Sequence, residues 1–217
     1  MIEQILPACV VSVEKRIDPP GAVLFVEEEA LVAKAVEKRR CEFTTARMCA
    51  REALQALGIP PVAIPTGERG EPLWPADTLG SITHCEAYRA AAVARSSEVL
   101  TLGIDAEPNA ALPPGLVGDI ARPEELPALE RLRADLPQVH WDRLLFSAKE
   151  SVYKAWFPLA RRWLGFEDAL VELDPDTRTF QARLLVAGPQ LDRGPLQSLA
   201  GRWMAHDGLL LTAIALT

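Results

Sequence analysis

From Glu27 to Leu57 apolar residues recur every third or fourth position behind an acidic start, and Gly58 with Pro60-Pro61 closes the run, which predicts one helix or two in succession. Before it, Val10-Val11-Ser12-Val13 has the pattern of a strand, and Asp18-Pro19-Pro20-Gly21 that of a turn. Thr66 to Gly80 is rich in Gly and Pro and reads as a loop. Ser81 to His84 leads from it, through a short turn, into a strand over Ala90 to Ala94. A further strand, Leu100 to Glu107, closes the first half at Pro108.

The second half opens irregularly, with Pro113-Pro114-Gly115, and stays so to about Pro137. His140 to Trp156 is then helical by its spacing, with Pro158 placed to disturb or end the helix. Strands follow over Ala169 to Leu173, Thr179 to Val186, Gly201 to Ala205 and Leu209 to Leu216, with Asp207-Gly208 as a hairpin turn. Each half thus joins a long helix to a few strands, so the expectation is an α+β chain with lobes over 1–108 and 109–217, in the manner of a distant internal duplication.

A chain of 217 residues, 49% of them hydrophobic, is long enough to fill a real core. Its net charge of −7 argues against a nucleic-acid partner, since phosphate backbones demand clustered Lys and Arg. Met1-Ile2-Glu3-Gln4 has no basic start, and no apolar run approaches the roughly 18 residues that span a bilayer, so the expected setting is cytoplasmic. Cys9, Cys41, Cys49 and Cys85 are scattered, with no metal-binding spacing, and read as reduced thiols. His84 and Cys85 are neighbours, but on a strand they point to opposite faces, which disfavours a nucleophilic dyad.

Two segments carry candidate chemistry. On the strand Leu100 to Glu107, Asp105 and Glu107 leave the same face while Ile104 and Ala106 point away. The pair is either a solvated strand end or the seat of a hard divalent cation that relieves the crowding of like charge. In the helical stretch Glu150 and Lys154 stand four residues apart, adjacent on one face, among Trp141, Phe146, Tyr153, Trp156 and Phe157. They are either a surface ion pair or a third carboxylate for a Mg²⁺ site with a lysine facing phosphate.

Gly103-Ile104-Asp105-Ala106-Glu107 and Phe146 to Ala155, FSAKESVYKA, resemble the two signature motifs of the phosphopantetheinyl transferases. The resemblance extends through Arg39 to Arg47, Gly70 to Pro75, Gly80 to Cys85, Trp156 to Leu159 and Trp163 to Asp168, in order along almost the whole chain. It is greatest toward the monomeric, two-halved class associated with surfactin and enterobactin synthetases, and toward its actinobacterial members. The resemblance implies a pseudo-dimer of two similar α/β lobes, each a small, mainly antiparallel sheet on a long helix. It also implies transfer of the 4′-phosphopantetheine arm from coenzyme A, the co-substrate, to a serine of an apo acyl or peptidyl carrier protein, with release of adenosine 3′,5′-bisphosphate.

The roles implied for matched residues follow. Asp105, Glu107 and Glu150 would hold Mg²⁺, or Mn²⁺ in its place. Lys154 would neutralise the pyrophosphate, and Glu150, directly or through a water, would take the serine proton. Arg39 and Arg47 share one side of their helix and would grip the ribose 3′-phosphate, joined by Thr83 and His84. Three departures stand out: Thr83 where many relatives carry Ser, Ala106 where some carry a longer side chain, and Arg69 as the one base of a loop where close relatives often carry Lys. Arg161, Arg162 and Trp163 are candidates for carrier docking or, equally, a helix-end cation cluster beside a core aromatic. A coenzyme A pyrophosphohydrolase and a carrier-binding protein without transfer remain as competing readings.

Overall fold

The computed structural model describes residues 1–192 and 194–217. Strand β1 (Val11–Lys15) precedes a single helical turn α1 (Val26–Glu29) and the long helix α2 (Glu37–Ala56). The expected helical region is therefore broken between its two parts. Glu28 explains the break: its buried carboxylate accepts from Phe25 N, Ile64 N and Arg51, fixing the first turn against the flank of α2. Strands β2 (Thr78–Cys85) and β3 (Tyr88–Arg95) follow, and the three strands pair antiparallel in the order β1-β3-β2 beneath α2.

Strand β4 (Thr101–Pro108) leads through the short helices α3 (Val117–Ile120) and α4 (Leu126–Asp135) to the second long helix, α5 (Trp141–Ala160). Then come β5 (Ala169–Asp174), β6 (Thr179–Leu184), the two-residue pair β7 (Gln190–Leu191) and β8 (Gly194–Pro195), and the hairpin β9 (Ser198–His206) and β10 (Leu209–Leu216). The hairpin turns at Asp207-Gly208, both with positive φ, as its sequence predicts. α5 runs two residues past Pro158, close enough to its end that one missing N–H is tolerated, and stops at Arg161 in a left-handed conformation.

The second sheet has the order β4-β10-β9-β6-β5, antiparallel throughout. Strand β4, read from sequence as closing the first half, thus takes its backbone partner from the far end of the chain, with Asp105 opposite Thr212 and Glu107 opposite Leu210. Its other edge meets β2 through hydroxyls: Ser81 Oγ accepts from Ile104 N and Thr83 Oγ1 from Ala106 N, each at 3.0 Å. Side chains there replace a backbone ladder, and β4 becomes the seam between two α/β lobes.

Apolar packing follows the same plan. Ala90, Ala92 and Ala94 of β3 face Leu102, Ile104 and Ala106 of β4, while Ala91 and Val93 on its other face meet Cys49, Ala50, Ala53 and Leu54 of α2. A strand buried on both sides accounts for the continuous apolar run. Around α5, Trp141, Trp156 and Trp203 anchor the second core, Trp141 and Trp203 meeting edge to face at 5.4 Å. Among the described residues no helix is long and apolar enough to cross a membrane.

Candidate active site

Alternation along β4 builds the site. Leu102, Ile104 and Ala106 fill the core between the sheets, so Thr101, Gly103, Asp105 and Glu107 must face α5. Thr101 Oγ1 donates to Ala155 O at 2.6 Å, and Gly103 lets the helix rest directly on the strand. A Cβ at position 103 would collide with Ser151 O and come within 2.8 Å of Ala155 N. That approach brings Lys154 within reach of Ile104 O at 3.0 Å and Asp105 Oδ1 at 2.8 Å. The two motif segments meet through these bonds.

Asp105, only 5% exposed, also accepts weakly from Thr83 Oγ1 at 3.3 Å, and its Oδ2 is buried without a hydrogen-bond partner among the described residues. Glu107 is paired with Arg143 at 2.9 Å. Burial, reinforced by the Asp105 charge and opposed by Arg143, pushes the Glu107 carboxyl up to about 7. Burial and Asp105 likewise raise the Glu150 carboxyl, with Lys154 opposing. The three expected acids therefore share one electrostatic neighbourhood. They are not drawn into a cage, for among the described residues no three His, Cys, Asp or Glu side chains form a metal-holding group.

Beside them a cleft of about 830 Å³ opens between the halves, lined by Arg39 and Arg47 of α2, Arg69 of the intervening loop, His84 of β2, and Glu150 and Lys154 of α5. A second concavity of about 930 Å³ lies on the second sheet around Asp174, Gln181 and Arg202, and none of the expected site residues lines it. Arg39 hydrogen-bonds His84 Nε2 within the first cleft. Burial and the cations Arg39, Lys154 and Arg89 push the His84 ring down to about 4, leaving it neutral near pH 7. Cys85 next to it is pushed up to about 12 by burial, Glu107 and Asp105, which removes the thiolate that a dyad would need.

Two expected phosphate ligands have other partners. The Thr83 hydroxyl is buried and divided between Asp105 and Ala106 N, because β4 needs a partner along its outer edge. Arg47 is buried, donates from Nε to Ile64 O at 3.0 Å and lies over the Phe43 ring, so it holds the cleft wall. Burial, with the nearby Arg51 and Arg39 charges and against Glu28, lowers its guanidinium to about 10. Of the candidate docking residues, Arg162 bonds Ala187 O over Trp156, Arg161 spans the cleft to Glu71 at 3.3 Å, and Trp163 is 67% exposed against Tyr153.

Reading by sequence missed the close approach at Gly103 and the clamp on Glu107 by Arg143. It also missed Lys149, whose ammonium is buried against Glu125 at 2.9 Å and donates to Ile120 O and Phe166 O. A glycine inside a strand was the available signal for the first. Nothing in the spacing pointed to the others.

Comparisons with known proteins agree on one family. A family model described as the 4′-phosphopantetheinyl transferase N-terminal domain matches residues 27–94, and one described as the 4′-phosphopantetheinyl transferase superfamily matches residues 101–198. The chain is 51% identical to the 4′-phosphopantetheinyl transferase Npt of Nocardia iowensis, over 99% of each. It is 50% identical to Svp of Streptomyces mobaraensis, over 99% of this chain and 89% of that one. It is 47% identical to PptT of Mycobacterium tuberculosis, over 100% of this chain and 98% of the relative. With both halves matched, in order, by the same family, the chain belongs to the 4′-phosphopantetheinyl transferases.

Proposed function

We propose that this enzyme moves the 4′-phosphopantetheine arm of coenzyme A onto a serine of apo acyl or peptidyl carrier proteins, with a divalent metal, and releases adenosine 3′,5′-bisphosphate. The observation that carries this reading is the Lys154–Asp105 contact, which sets a cation and an acid with a spare buried oxygen beside Glu150 at the cleft between the halves. The serine oxygen forms a bond to the phosphorus bearing the pantetheine arm, the bond from that phosphorus to the bridging oxygen breaks, and the bisphosphate departs. Both oxygens gain or shed charge, so the protein's part is alignment and electrostatic support.

Lys154 neutralises the diphosphate. Glu150 has its proton affinity raised by burial and by Asp105, which suits it to take the serine proton. Asp105, Glu107 and Glu150 fit a hard cation: one carboxylate oxygen has no partner among the described residues, and two of the carboxyls resist ionisation. Mg²⁺ or Mn²⁺ there would supply charge neutralisation on the phosphate oxygens. Arg39 and His84, with Arg69 at the rim, receive the 3′-phosphate and diphosphate, while Thr83 and Arg47 keep β4 and the cleft wall in place.

In this reading residues 1–108 supply the 3′-phosphate grip, and residues 109–217 supply the catalytic helix and the surface that meets the carrier. Strand β4 serves both, and one chain carries every part, so a monomer suffices. Weighing an apo carrier after incubation with coenzyme A and Mg²⁺ tests the proposal, with the nucleotide product identified alongside. The carrier gains one arm and adenosine 3′,5′-bisphosphate appears only when carrier is present. Nucleotide release without carrier would instead mark a pyrophosphohydrolase, and tight carrier binding with no mass gain a binding protein.

A further inference from the structure

Glu42 stands one helical turn beyond Arg39 on α2, buried behind the cleft wall. Its Oε2 lies 3.6 Å from His84 Nδ1 and 4.0 Å from Arg39 Nη1, and its Oε1 lies 3.7 Å from Arg89 Nη2. Arg89 is itself buried, and it donates to Asp18 Oδ2 at 3.0 Å and to Cys85 O at 2.8 Å. Alternating charges thus run from the surface acid Asp18 through Arg89 to Glu42, which stands behind the neutral His84 ring that lines the cleft.

The two sides of the imidazole meet opposite chemistry. Nε2 faces the Arg39 guanidinium, which only donates, so Nε2 must accept and the ring proton sits on Nδ1, toward the Glu42 carboxylate. Arg39 is half exposed at the cleft, whereas Glu42 is walled in behind it. The carboxylate, rather than the arginine, is the fixed reference for the ring. Carboxylates behind an imidazole commonly set which nitrogen is presented and how, and losing such a partner weakens ligand binding by roughly 10–100-fold at metal sites.

We propose that Glu42 is a positioning residue for coenzyme recognition: from behind the cleft it holds the His84 ring with Nε2 toward the ligand, and so sets the preference for a ligand that carries a 3′-phosphate. This rests on the reading that Arg39 and His84 receive that phosphate. Arrival of the phosphate draws Arg39 onto itself and leaves Nε2 facing the anion, and Glu42 then balances the ring as it takes up a proton from water. The charged groups facing the ring are Arg39 and Glu42 of α2, Arg89 of β3, Asp105 of β4 and Lys154 of α5. The depressed proton affinity of the ring in the free protein agrees with a neutral resting form.

The test compares dissociation constants for coenzyme A and 3′-dephospho-coenzyme A on the full chain, in wild type, Glu42→Ala, Glu42→Gln, His84→Ala and the Glu42→Ala/His84→Ala double variant. The ratio of the two constants cancels a general loosening of the cleft. Glu42→Ala is expected to lose about tenfold of that ratio, and His84→Ala a comparable amount. The double variant is expected to lose no more than His84→Ala alone. Glu42→Gln, which keeps an oxygen toward Nδ1 but not the charge, is expected to lose about threefold, an intermediate effect on the same scale, and it carries the test if the alanine variant does not fold. An unchanged ratio in a folded Glu42 variant, alongside a collapsed ratio in His84→Ala, overturns the proposal while sparing the phosphate subsite. A further loss in the double variant also overturns it. An unchanged ratio in His84→Ala overturns the underlying assignment of the subsite, and this proposal with it.

Discussion

Lys154 on α5 donates to Asp105 Oδ1 on β4 at 2.8 Å and to the neighbouring Ile104 carbonyl at 3.0 Å, so a single ammonium ties the helix to the strand at the point where the acids gather. Lys154→Gln removes both the tie and the charge that the proposed reaction sets against the diphosphate. Carrier modification should fall by about 10²–10³-fold, the scale of losing one preorganised electrostatic partner, with circular dichroism unchanged. Lys154→Arg should rescue little, because a planar fork does not replace a compact ammonium held by two oxygens. Near-wild-type turnover in Lys154→Gln would remove the lysine from the mechanism.

Gly103 admits α5 onto β4, and its spacing is unforgiving. Gly103→Ala drives a methyl group into the Ser151 carbonyl and the Ala155 amide, both parts of a helix backbone that has no rotamer to yield. Destabilisation of about 1–3 kcal/mol or more is expected. Activity should drop further than stability, because Lys154 and Asp105 separate together. Urea unfolding and the carrier mass assay on the same preparation check both parts.

Lys149 and Glu125 form a pair only 2% exposed on each side, and Glu125 also accepts from Val171 N and Arg122 N. Lys149→Met leaves that carboxylate buried without its charged partner, at an expected cost of about 3–5 kcal/mol. Removing both with Lys149→Met/Glu125→Gln should cost less than the single change, because no lone buried charge remains. Denaturant midpoints of the two variants provide the comparison. A single variant as stable as wild type would show the pair to be dispensable.

His84 gives stability a pH dependence whose sign is fixed. The folded ring titrates near 4, below the ordinary value of 6.5, so between these values the unfolded chain binds a proton that the folded chain refuses. Stability from this group is full above pH 6.5 and is lost as pH falls toward 4. His84→Asn should therefore lose less stability than wild type between pH 7.5 and 5, measured as the shift in urea midpoint. Equal shifts in the two proteins would show that the ring titrates normally.

Much of this was legible in the chain. The strand period placed Asp105 and Glu107 on one face, and the helical period placed Glu150 beside Lys154, because both rules depend only on local backbone geometry. Periodicity also located both long helices and the closing hairpin. What escaped it was the helix α4, in a stretch read as irregular, and pairing at a distance. The spacing of β4 is the same whether it closes the first sheet or joins β10, and only the chain's last strand decides. The family resemblance implied Thr83 as a phosphate ligand, yet an edge of β4 without a backbone partner claims its hydroxyl. Arg47 shares its helix side with Arg39 as spacing requires, but whether a guanidinium faces solvent or a wall depends on Ile64 and Phe43, which arrive from elsewhere in the fold.

The central claim is that these carboxylates seat a divalent ion against the diphosphate of coenzyme A. Crystals grown with coenzyme A and Mn²⁺, with anomalous scattering measured at the manganese edge, test it most directly. The account predicts a peak bound by Asp105 Oδ2, Glu107 and Glu150, with the diphosphate beside it and Lys154 on the phosphate oxygens. A peak elsewhere, or a diphosphate lying away from Asp105 with Lys154 still closed on the carboxylate, would contradict it.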